Sequence, residues 1–547
     1  MDDVLFIVPP PIRYVDFVKP DYNVGTVKKK NGTFASVLTE MPLGIMAMSS
    51  YLKKHTPART SLVDFNIILN KLESFEYDSF AELFRHHLSL LDQEPAIVGI
   101  SSLFTPSYRN ILDIAEICRA LFPRALVVAG GGIPTNMYRE IFKASSSFHA
   151  LCYGEGEKPL LGLVQATDRL QHFAENPSWI TREKAAAGQA FQHDYITDLD
   201  EIPFLDYDLL ADSDYGINPL SKTYAGIDEK QNGYHVMTSR GCPHRCCFCS
   251  SHTVHGREMR YYSLERVEED FTRLRDQYHA KTLIFQDDHL ANIKKRTLKI
   301  LEIIKKLGVN AIFQNGIALY TLERELLEAY KSVGVNQLVL AVESGSERVL
   351  KEIIHKPLNL GIVKRVADDC RDLDIYTDVN LLIGFPGETK QDIEDTCSFL
   401  KTINANWFRV VVATPLVGSE MFDICMKKGY LKHGYIDCNY KKAVVDTEEF
   451  TADWIQERAY LLNLELNFIC NSDVKFGRYR IALKGFESAI KAKADHAIAF
   501  WCAAKCYREL GEVDKAEEYL HRAKTIIAGD ERWRRYAEVF AVHFDNP

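Results

Sequence analysis

The sequence predicts an α/β protein in three parts: an N-terminal Rossmann-like, doubly wound parallel sheet, a central partial (β/α)6 TIM-like barrel, and a C-terminal α-helical repeat domain. Apolar strands alternate with amphipathic helices at the start of the chain, this alternation resumes at Tyr234, and a helical tail repeats at an offset of 34 residues. A chain of 547 residues is also too long for one hydrophobic core. We place the parts at residues 1–165, 231–435 and 436–547, with a linker at 166–230.

In the N-terminal part, each predicted strand ends in small, proline or glycine-rich residues. Helices are expected at Leu43–Lys53 and Asn110–Leu121. The strands are expected at Val4–Val8, Ser61–Phe65, Ile97–Ser101, Leu126–Ala129 and Ala150–Tyr153. Ligands of open parallel sheets bind beyond the carboxyl ends of the strands, so this edge is the predicted ligand site.

The central part contains six strand–helix units, as in a partial barrel. Helices are predicted after the strands, for example at Lys295–Leu307 and Glu323–Ser332. The six strands are predicted at Val236–Ser239, Thr282–Gln286, Ala311–Gln314, Gln337–Val342, Thr377–Ile383 and Phe408–Ala413. Barrels of this kind carry their chemistry at the C-terminal ends of the strands.

The tail contains small and large residues that recur at the same places in two helix pairs. The recurring pairs are Gly477 with Gly511, Ala482 with Ala516, Phe486 with Leu520, and Ala489 with Ala523. The period and the placement resemble the tetratricopeptide repeat. Two pairs are fewer than such stacks usually need, so the helix at Asp453–Asn471 or the one at Asp530–His543 is expected to cap them. The stack is either purely structural or presents a groove that docks a protein or peptide.

The bulk composition is that of an ordinary globular protein. The net charge of −9 and the lack of a long basic run argue against nucleic-acid binding. The start, MDDVLFIVPPP, lacks the positive region of a signal peptide, and no apolar run reaches membrane-spanning length. The thirteen cysteines are mostly scattered, as in reduced intracellular proteins. We therefore expect a cytoplasmic protein with no membrane span and no nucleic-acid partner.

The most informative motif is a loop with three cysteines, Cys242, Cys246 and Cys249, spaced Cys-x3-Cys-x2-Cys. Three thiolates can hold three irons of a [4Fe–4S] cluster, which four thiolates normally hold, and the fourth iron then has an open position. An open position is typical of reactive metal sites. The alternative is a structural zinc site with Cys247 or His244 as the fourth ligand. Zinc modules usually pair two knuckles, and no second Cys-x2-Cys occurs in the chain.

With the aromatic Phe248 just before the last cysteine, the loop resembles the signature of the radical S-adenosylmethionine (SAM) enzymes. The resemblance extends over roughly residues 1–435. It implies that the amino and carboxylate groups of SAM bind the fourth iron, and that an electron from the cluster cleaves SAM to a 5′-deoxyadenosyl radical. It also implies a reductant such as flavodoxin or ferredoxin.

The resemblance further suggests SAM-binding residues at the barrel strand ends. Glu343, followed by Ser344, matches the glutamate that hydrogen-bonds the ribose hydroxyls, although it could instead cap the next helix. Asn380 and Gly384 lie in the segment NLLIGFPG, which resembles the part that flanks the adenine. Asp288, next to Asp287, either lies close to the methionyl amine or substrate or caps a helix.

Two further segments of the barrel stay open to two interpretations. Arg260 and Tyr262 either face the substrate or belong to a solvated surface. Thr414-Pro415 with Gly418-Ser419 resembles a turn of the cobalamin-linked branch of the family, or is an ordinary Pro-Gly turn.

The N-terminal sheet resembles the cobalamin-binding domain that precedes the barrel in one large radical SAM subfamily. Glycines and serines at strand ends would let a corrin approach the backbone closely. The matching residues are Pro10, Leu43, Gly44, Ser101, Ser102, Gly130, Gly131, Gly132, Gly154 and Glu155. The motif Asp-x-His-x-x-Gly, which supplies a cobalt ligand in other cobalamin proteins, is absent, so the cofactor would be bound without it. The alternative is a sheet that kept the fold and lost the corrin, or one that carries a different ligand.

These features together favour a cobalamin-dependent (class B) radical SAM C-methyltransferase, with a [4Fe–4S] cluster, SAM and cobalamin as cofactors. An oxidative cyclase or ring-rearranging enzyme is the second enzymatic interpretation. A third is a docking protein with vestigial catalytic domains, against which the intact cysteines argue. A methylthiotransferase is disfavoured because only Cys118 and Cys152 precede the barrel, too few for a second cluster. The substrate is a small molecule or peptide that the sequence does not identify.

Overall fold

The structure, a computed structural model, describes residues 3–20, 24–37, 39–210, 215, 233–432, 435–437 and 442–543. Its strands are β1 (Asp3–Val8), β2 (Thr26–Lys29), β3 (Gly32–Ala35), β4 (Arg59–Asp64), β5 (Ile97–Ser101), β6 (Leu126–Gly130), β7 (Ala150–Cys152), β8 (Trp179–Ile180), β9 (Gly233–Val236), β10 (Ser239–Arg240), β11 (Arg260–Tyr261), β12 (Thr282–Phe285), β13 (Asn310–Phe313), β14 (Gln337–Glu343), β15 (Tyr376–Ile383) and β16 (Trp407–Val412).

Helices connect most of these strands. The α-helices of the first two parts span Tyr14–Val18, Leu43–His55, Phe65–Lys71, Phe80–Ser89, Tyr108–Leu121, Gly132–Asn136, Tyr138–Ala144, Glu157–Gln165, Arg169–Glu175, Arg182–Ala186, His252–His255, Leu264–Gln277, Lys294–Leu307, Arg324–Ser332, Leu360–Asp372, Lys390–Leu400 and Glu420–Lys428. Those of the tail span Ala452–Leu464, Ser472–Lys475, Tyr479–Ala492, Ala497–Glu509, Val513–Gly529 and Glu531–Val539. Short 3-10 or π turns lie at Thr105–Ser107, Leu199–Glu201, Tyr207–Leu209, Leu290–Asn292, Leu319–Thr321, Val349–Ile354, Tyr435–Asp437 and Glu465–Ile469.

The N-terminal sheet has the strand order β4-β1-β5-β6-β7-β8, and all neighbours are parallel except β7 and β8. The central strands are near-continuous apolar runs because helices cover both faces of the sheet. The connections change direction at β1, so a crevice lies between the carboxyl ends of β1 and β5. We call the carboxyl ends of β1, β5, β6 and β7 the exit edge. The predicted doubly wound sheet is confirmed.

The boundary predicted at residue 165 is too early. β8 pairs antiparallel with Leu151 and Cys152 of β7, and the helix Arg169–Glu175 packs on the same domain. Trp179 is fully buried there against Phe173. Residues 169–186 therefore continue the N-terminal domain, and the predicted linker over 166–230 is wrong in this stretch; residues 211–214 and 216–230 lie outside the described part.

The central part forms two parallel three-stranded groups, β9-β12-β13 and β14-β15-β16. A parallel bridge between Ile317, just after β13, and Leu340 of β14 joins them into one arc of six strands. The six predicted strands match these elements to within three residues. The helices that follow the strands pack their apolar faces on the outside of the arc. The partial barrel is confirmed, and we call the carboxyl ends of its strands the barrel mouth.

The last strand of the arc, β16, is covered by the tail. The Asn467 side chain accepts a hydrogen bond from the Phe408 backbone N–H at 2.8 Å and donates one to the Phe408 carbonyl at 2.7 Å. In this way an amide side chain pairs with β16 as a neighbouring strand would. The helix Ala452–Leu464 adds apolar contacts through Ile455, which packs with Ile383 and Val412. The tail is thus bound tightly to the barrel.

The tail folds into two helix pairs at the predicted period. Gly477 and Gly511, which correspond across the repeat, both have positive φ angles and precede the first and third of these helices. Ala482 and Ala516 occupy the same place in those two helices and are both buried. The helical repeat is therefore present, whereas membership of the tetratricopeptide family stays a prediction. Within the described part of the chain, none of the helices has the length and apolar character that crossing a membrane requires.

Candidate active site

The three cysteines lie in one tight loop, residues 241–251, which we call the cluster loop. Its stems are the antiparallel strands β10 and β11. Gly241 has φ 90°, and a Cβ there would lie 2.2 Å from the Glu258 carbonyl oxygen, so the close approach of the stems requires glycine. Inside the loop the Cys249 N–H donates to the Cys246 carbonyl at 3.1 Å. The stems and the turn together bring Cys242, Cys246 and Cys249 into one place.

The neighbouring Cys247 is more deeply buried than the other three cysteines of the loop. Cys242, Cys246 and Cys249 are partly exposed, whereas Cys247 is 3% exposed and packs into an apolar cluster with Phe385. Its backbone N–H donates to the Ile354 carbonyl, which holds it in that direction. Cys247 is therefore unsuited to be a fourth ligand, and this form of the zinc alternative is wrong.

The donor set fits a cluster with three protein ligands. Each thiolate of a [4Fe–4S] cluster binds its own iron, so the sulfurs need to surround the cluster and do not converge on one point. Among the described residues, no three Cys, His, Asp or Glu side chains converge as a single metal ion would require. Burial raises the pKa of Cys246 to about 11, an effect that the nearby Lys356 ammonium opposes.

The other proposed zinc ligand, His244, belongs to a hydrogen-bonded group at the barrel mouth. Its Nε2 lies 2.7 Å from the Tyr320 hydroxyl, and His289 Nε2 lies 2.8 Å from the same hydroxyl. Burial lowers the pKa of His289 to about 4, so this imidazole stays neutral at physiological pH. His244 is thus engaged elsewhere. Sequence reasoning missed His289 and Tyr320, which lie three and six residues after the ends of predicted strands.

Glu343 ends β14 at an irregularity of the strand and points toward the cluster loop. Its φ is 70°, and its carboxylate accepts a hydrogen bond from the Lys356 ammonium at 3.0 Å. Both side chains are largely buried. The helix after β14 begins at residue 347, and the Ser346 hydroxyl caps it by accepting from the Val349 N–H at 3.3 Å, so the capping alternative for Glu343 is wrong. Since Lys356 also acts on the Cys246 thiol, the pair lies on the cluster side of the barrel mouth.

The side chain of Ser344 is not available for SAM. Its buried hydroxyl lies 3.1 Å from the Thr396 hydroxyl and accepts from the Ser346 N–H. Ser344 therefore shapes the turn after β14, and the expectation of a side-chain contact with the nucleotide is corrected. Asn380 lies on β15, opposite Ala341 in the strand register, and is partly exposed.

Gly384 was predicted to flank the adenine of SAM, but the structure shows another reason for a glycine at this position. A Cβ there would lie 2.9 Å from Ile455 of the tail helix Ala452–Leu464. The space beside this glycine is thus filled by the tail, and its φ of 95° also favours glycine. Phe248 lies close by, with its ring 6.1 Å from that of Phe385.

The adjacent aspartates Asp287 and Asp288 have separate roles. Asp287 is buried and accepts hydrogen bonds from the Thr238 N–H and hydroxyl and from the Ser239 hydroxyl, so it ties the ends of β9 and β12 together. Asp288 accepts from the Ser251 hydroxyl at 2.7 Å, beside the cluster loop. Only Asp288 remains placed for SAM or substrate.

Glu388 is fully buried beneath the turn after β15. It accepts from the Gly384 N–H at 2.6 Å and the Phe385 N–H at 3.0 Å, and its Oε1 has no hydrogen-bond partner among the described residues. Burial raises its pKa to about 7, although the two backbone N–H groups oppose the change. The turn therefore rests on a carboxyl group that titrates near neutrality.

We expect Glu388→Gln to remove a pH dependence of stability. The folded chain binds more protons than the unfolded chain between the ordinary pKa and about 7, so wild-type stability falls as the pH rises through that range. Between pH 5 and pH 8, wild type should lose about 3 kcal/mol of stability relative to the variant. Urea unfolding at pH 5 and pH 8 measures it, with the exposed Glu347→Gln as control. Equal pH slopes for wild type and Glu388→Gln would contradict the prediction.

At the exit edge of the N-terminal sheet, two expected corrin contacts are taken by the protein itself. A Cβ on Gly154 would lie 2.2 Å from His193 Nδ1, so that glycine makes room for an imidazole. The Glu155 carboxylate is paired with Arg260 at 2.6 Å and with His255 at 2.8 Å. The predicted corrin contacts at the Gly154 Cα and through the Glu155 carboxylate are therefore wrong.

The glycine turn after β6 approaches the end of β5 closely. Cβ atoms on Gly131 and Gly132 would lie 2.5 and 3.1 Å from the carbonyl oxygens of Ser102 and Leu103, and the Ile133 N–H donates to the Ser102 carbonyl. Gly130 is closest to Cys152, at an ordinary contact distance. These glycines hold the exit edge together by backbone contact.

Other residues leave the exit edge open to a ligand. Outside the chain neighbours and the backbone of its own helix, no described atom lies within 4 Å of a Cβ placed on Gly44, at the start of the helix Leu43–His55. Leu103 and Phe104, directly after Ser101 and Ser102, are 60% and 46% exposed. These exposed apolar side chains were missed by sequence reasoning and suit a flat, largely apolar face. Pro10 is buried, and its carbonyl accepts from Asn110 at 2.8 Å.

The exit edge lies against the cluster loop. Asn136, on the helix after β6, donates to the Thr253 hydroxyl at 2.8 Å, just after the cysteines. The same side chain fills the space beside Gly418, while Ser419 caps the helix Glu420–Lys428. The turn at Gly418 is therefore both an ordinary turn and a contact with the N-terminal domain.

Arg260 and Tyr262 are both buried, so the alternative of a solvated surface is wrong. Arg260 pairs with Glu155 of the N-terminal domain. Together with the contact between Asn136 and Thr253, this pair places the exit edge of the sheet against the loop that carries the three cysteines.

Comparison with known proteins agrees with this geometry. Residues 236–400 match the family model of the radical SAM superfamily, and residues 86–164 match that of the B12 binding domain. An uncharacterized methyltransferase of Pyrococcus horikoshii is 26% identical over 77% of this chain and 87% of its own length. Cytidylyl-2-hydroxyethylphosphonate methyltransferase of Streptomyces wedmorensis is 26% identical over 68% of this chain and 75% of its own.

A more distant relative has another activity. The anaerobic magnesium-protoporphyrin IX monomethyl ester cyclase of Cereibacter sphaeroides is 24% identical over 70% of this chain and 58% of its own. Among solved structures, the cobalamin-dependent SAM radical enzyme OxsB, with aqua-cobalamin and SAM bound, matches with a TM-score of 0.61 and 14% identity. The match covers 98% of this chain and 80% of that one, so the likeness of fold includes the tail.

Proposed function

The chain is a radical SAM protein with a B12-binding domain, and from this we propose that it is a cobalamin-dependent methyltransferase that methylates an unactivated carbon of its substrate. The observation that carries the proposal is the contact between the exit edge and the cluster loop, through Asn136 and Thr253. Methyl transfer to a substrate carbon needs both cofactors at one cavity, and this contact brings the two sites together.

The residues divide the work between two sites. Bound there, the cofactors supply hydrogen abstraction from a C–H bond and a methyl donor, chemistry that the protein itself lacks. Cys242, Cys246 and Cys249 hold the cluster, while Glu343 accepts hydrogen bonds from the ribose hydroxyls of SAM. Neutral His289 and Tyr320 line the barrel mouth and offer hydrogen bonds to the substrate. Leu103 and Phe104 present an apolar face to the corrin.

Lys356 is expected to orient Glu343 for SAM. Replacing Lys356 with methionine leaves a buried carboxylate without its cation, which disfavours its ionised form and its position. We expect SAM to bind about tenfold more weakly, or about 1.4 kcal/mol. Equilibrium dialysis with labelled SAM on the cluster-loaded protein measures this. Lys364→Met, which removes an exposed lysine paired with Asp368, is the control and should bind SAM as wild type does.

The experiment that tests the function is anaerobic reconstitution with iron, sulfide and hydroxocobalamin. The protein should keep about one corrin per chain through gel filtration. In the presence of substrate and a reductant, methylation consumes SAM twice and leaves 5′-deoxyadenosine and S-adenosylhomocysteine together. A protein peak from gel filtration without corrin absorbance would refute the methyltransferase proposal.

A second candidate is an oxidative cyclase or ring-rearranging enzyme, which the relative from Cereibacter sphaeroides favours. This activity would give 5′-deoxyadenosine without S-adenosylhomocysteine. The ratio of the two products therefore separates the candidates.

The proposal also includes the substrate class, the electron donor, the role of the tail and the cellular location. The substrate is a small molecule or a peptide, the electron donor is a flavodoxin or ferredoxin, and the tail either docks a protein or peptide or serves only as structure. We also propose a cytoplasmic location, because the described cysteines are free thiols and an exposed cluster is sensitive to oxidation.

A further inference from the structure

A buried group of charged side chains joins the B12-binding domain to the cluster loop. We call it the interdomain charge cluster; it consists of Glu155, Glu157, Arg240, His255 and Arg260. Arg260 donates to both oxygens of Glu155, at 2.6 and 2.9 Å. Arg240 lies 3.1 Å from Glu155 and donates to Glu157 at 2.7 Å. His255 Nδ1 lies 2.8 Å from Glu155.

The members come from two parts of the chain with different tasks. Glu155 and Glu157 follow β7 on the exit edge. Arg240 ends the stem that enters the cluster loop, His255 ends the short helix after the last cysteine, and Arg260 begins the stem that leaves it. Both ends of the loop that holds the three cysteines are therefore fixed to one turn of the corrin domain.

Burial makes these contacts difficult to break one at a time. The side chains of Glu155, Glu157, Arg240 and Arg260 are between 3% and 7% exposed. Removing one partner from a buried ion pair leaves an uncompensated charge, which is strongly unfavourable. Arg260 is held further by the ring of Tyr195, 4.4 Å away, and by the Ile196 carbonyl at 2.8 Å. Loss of one member is therefore expected to weaken the contacts of the others.

The same turn is tied to the corrin side. The Gly154 N–H donates to the Thr135 hydroxyl at 3.1 Å, and Thr135 lies on the helix that follows the glycine turn after β6. A corrin that orders the exit edge would order the turn at Gly154–Glu157, and through it both stems of the cluster loop. Each step from Thr135 to the stems is a hydrogen bond, an ion pair or a peptide bond between adjacent residues.

We propose that the interdomain charge cluster couples occupancy of the corrin site to the order of the cluster loop. The inference rests on the proposed function in that a corrin binds at the exit edge. Glu155 is its central positioning residue: its carboxylate is paired with Arg240, Arg260 and His255, and it acts through them. The consequence is that the iron site is held firmly only when the methyl-carrying cofactor is in place.

Hydrogen–deuterium exchange on the full-length, cluster-loaded chain tests the coupling. Adding hydroxocobalamin to wild type should slow amide exchange in residues 241–256 by about fivefold or more, the usual range of coupling between sites. Glu155→Gln keeps the shape of the side chain and loses its charge. In this variant, hydroxocobalamin should slow amide exchange of residues 241–256 by less than about twofold, while it still slows exchange at the exit edge. Arg260→Lys, which keeps the charge and loses the forked geometry, should lie between the two.

The control is Asp378→Asn, a buried carboxylate paired with Arg409 inside the barrel at 2.6 Å. It should keep the full wild-type response of the cluster loop. Wild type that retains corrin without any change in loop exchange would overturn the coupling and leave the proposed function standing. A loop response that persists in both Glu155→Gln and Arg260→Lys would overturn it as well. Wild type that fails to retain corrin would instead refute the proposed function.

Discussion

Replacing Cys246 with alanine should abolish the broad visible absorbance of the cluster and reduce SAM cleavage by more than about a hundredfold. One iron would lose its only protein ligand, and the remaining two thiolates would not hold the cluster in the position that SAM requires. Ultraviolet–visible spectra after anaerobic reconstitution and chromatography for 5′-deoxyadenosine measure the two effects.

The adjacent Cys247 is a matched control. It is buried among Phe385, Val349 and other apolar side chains, whereas the three other cysteines of the loop are partly exposed. Cys247→Ala should keep the cluster and SAM cleavage, and should lower the free energy of unfolding by about 1 kcal/mol because it leaves a small cavity. Equal loss of the cluster in both variants, or its survival in Cys246→Ala, would refute the ligand assignment.

Replacing Gly44 with leucine should weaken retention of hydroxocobalamin by about a hundredfold without unfolding the protein. Outside the chain neighbours and the backbone of its own helix, no described atom lies within 4 Å of a Cβ at this position. The Cβ of a leucine therefore meets no clash, and its side chain extends into the space proposed for the corrin. A loss of about 3 kcal/mol corresponds to the hundredfold change. Gly44 is the second residue of its helix and exposed, so the leucine should leave the stability of the cofactor-free chain within about 0.5 kcal/mol of wild type.

Gly529→Leu provides the comparison, since Gly529 also lies in a helix and has no described atom within 4 Å of its Cβ position, but belongs to the tail. It should retain corrin as wild type does and melt at a similar or higher temperature. Full corrin retention by Gly44→Leu would place the corrin elsewhere on the domain, even if wild type binds it.

The fold was largely predictable because its strands are short apolar runs that end at glycine, proline or acidic residues. The predicted strand at Ile97–Ser101 is identical to β5, and that at Gln337–Val342 differs from β14 by one residue. β8 was missed because two residues are too few to show a period, although the buried Trp179 was a signal that the domain continues.

The site was predictable only where one short segment supplies all its members, as in the cluster loop. A glycine in a sequence does not reveal what occupies the space beside it. At Gly44 no described atom does, at Gly154 it is His193, and at Gly384 it is Ile455. His244, His289 and Tyr320 come from the loops after three different strands and meet only in the folded protein. No local sequence pattern predicts such a contact.

The contact between Asn467 and β16 has a consequence for the integrity of the whole chain. A barrel that stops at six strands has a last strand whose backbone groups could recruit a strand from another molecule, the starting point of many protein aggregates. One amide side chain, backed by the helix Ala452–Leu464, blocks that template at Phe408. Proteolysis between barrel and tail would therefore give a catalytic fragment with an exposed edge strand that is prone to aggregate. The tail thus protects the protein against self-association.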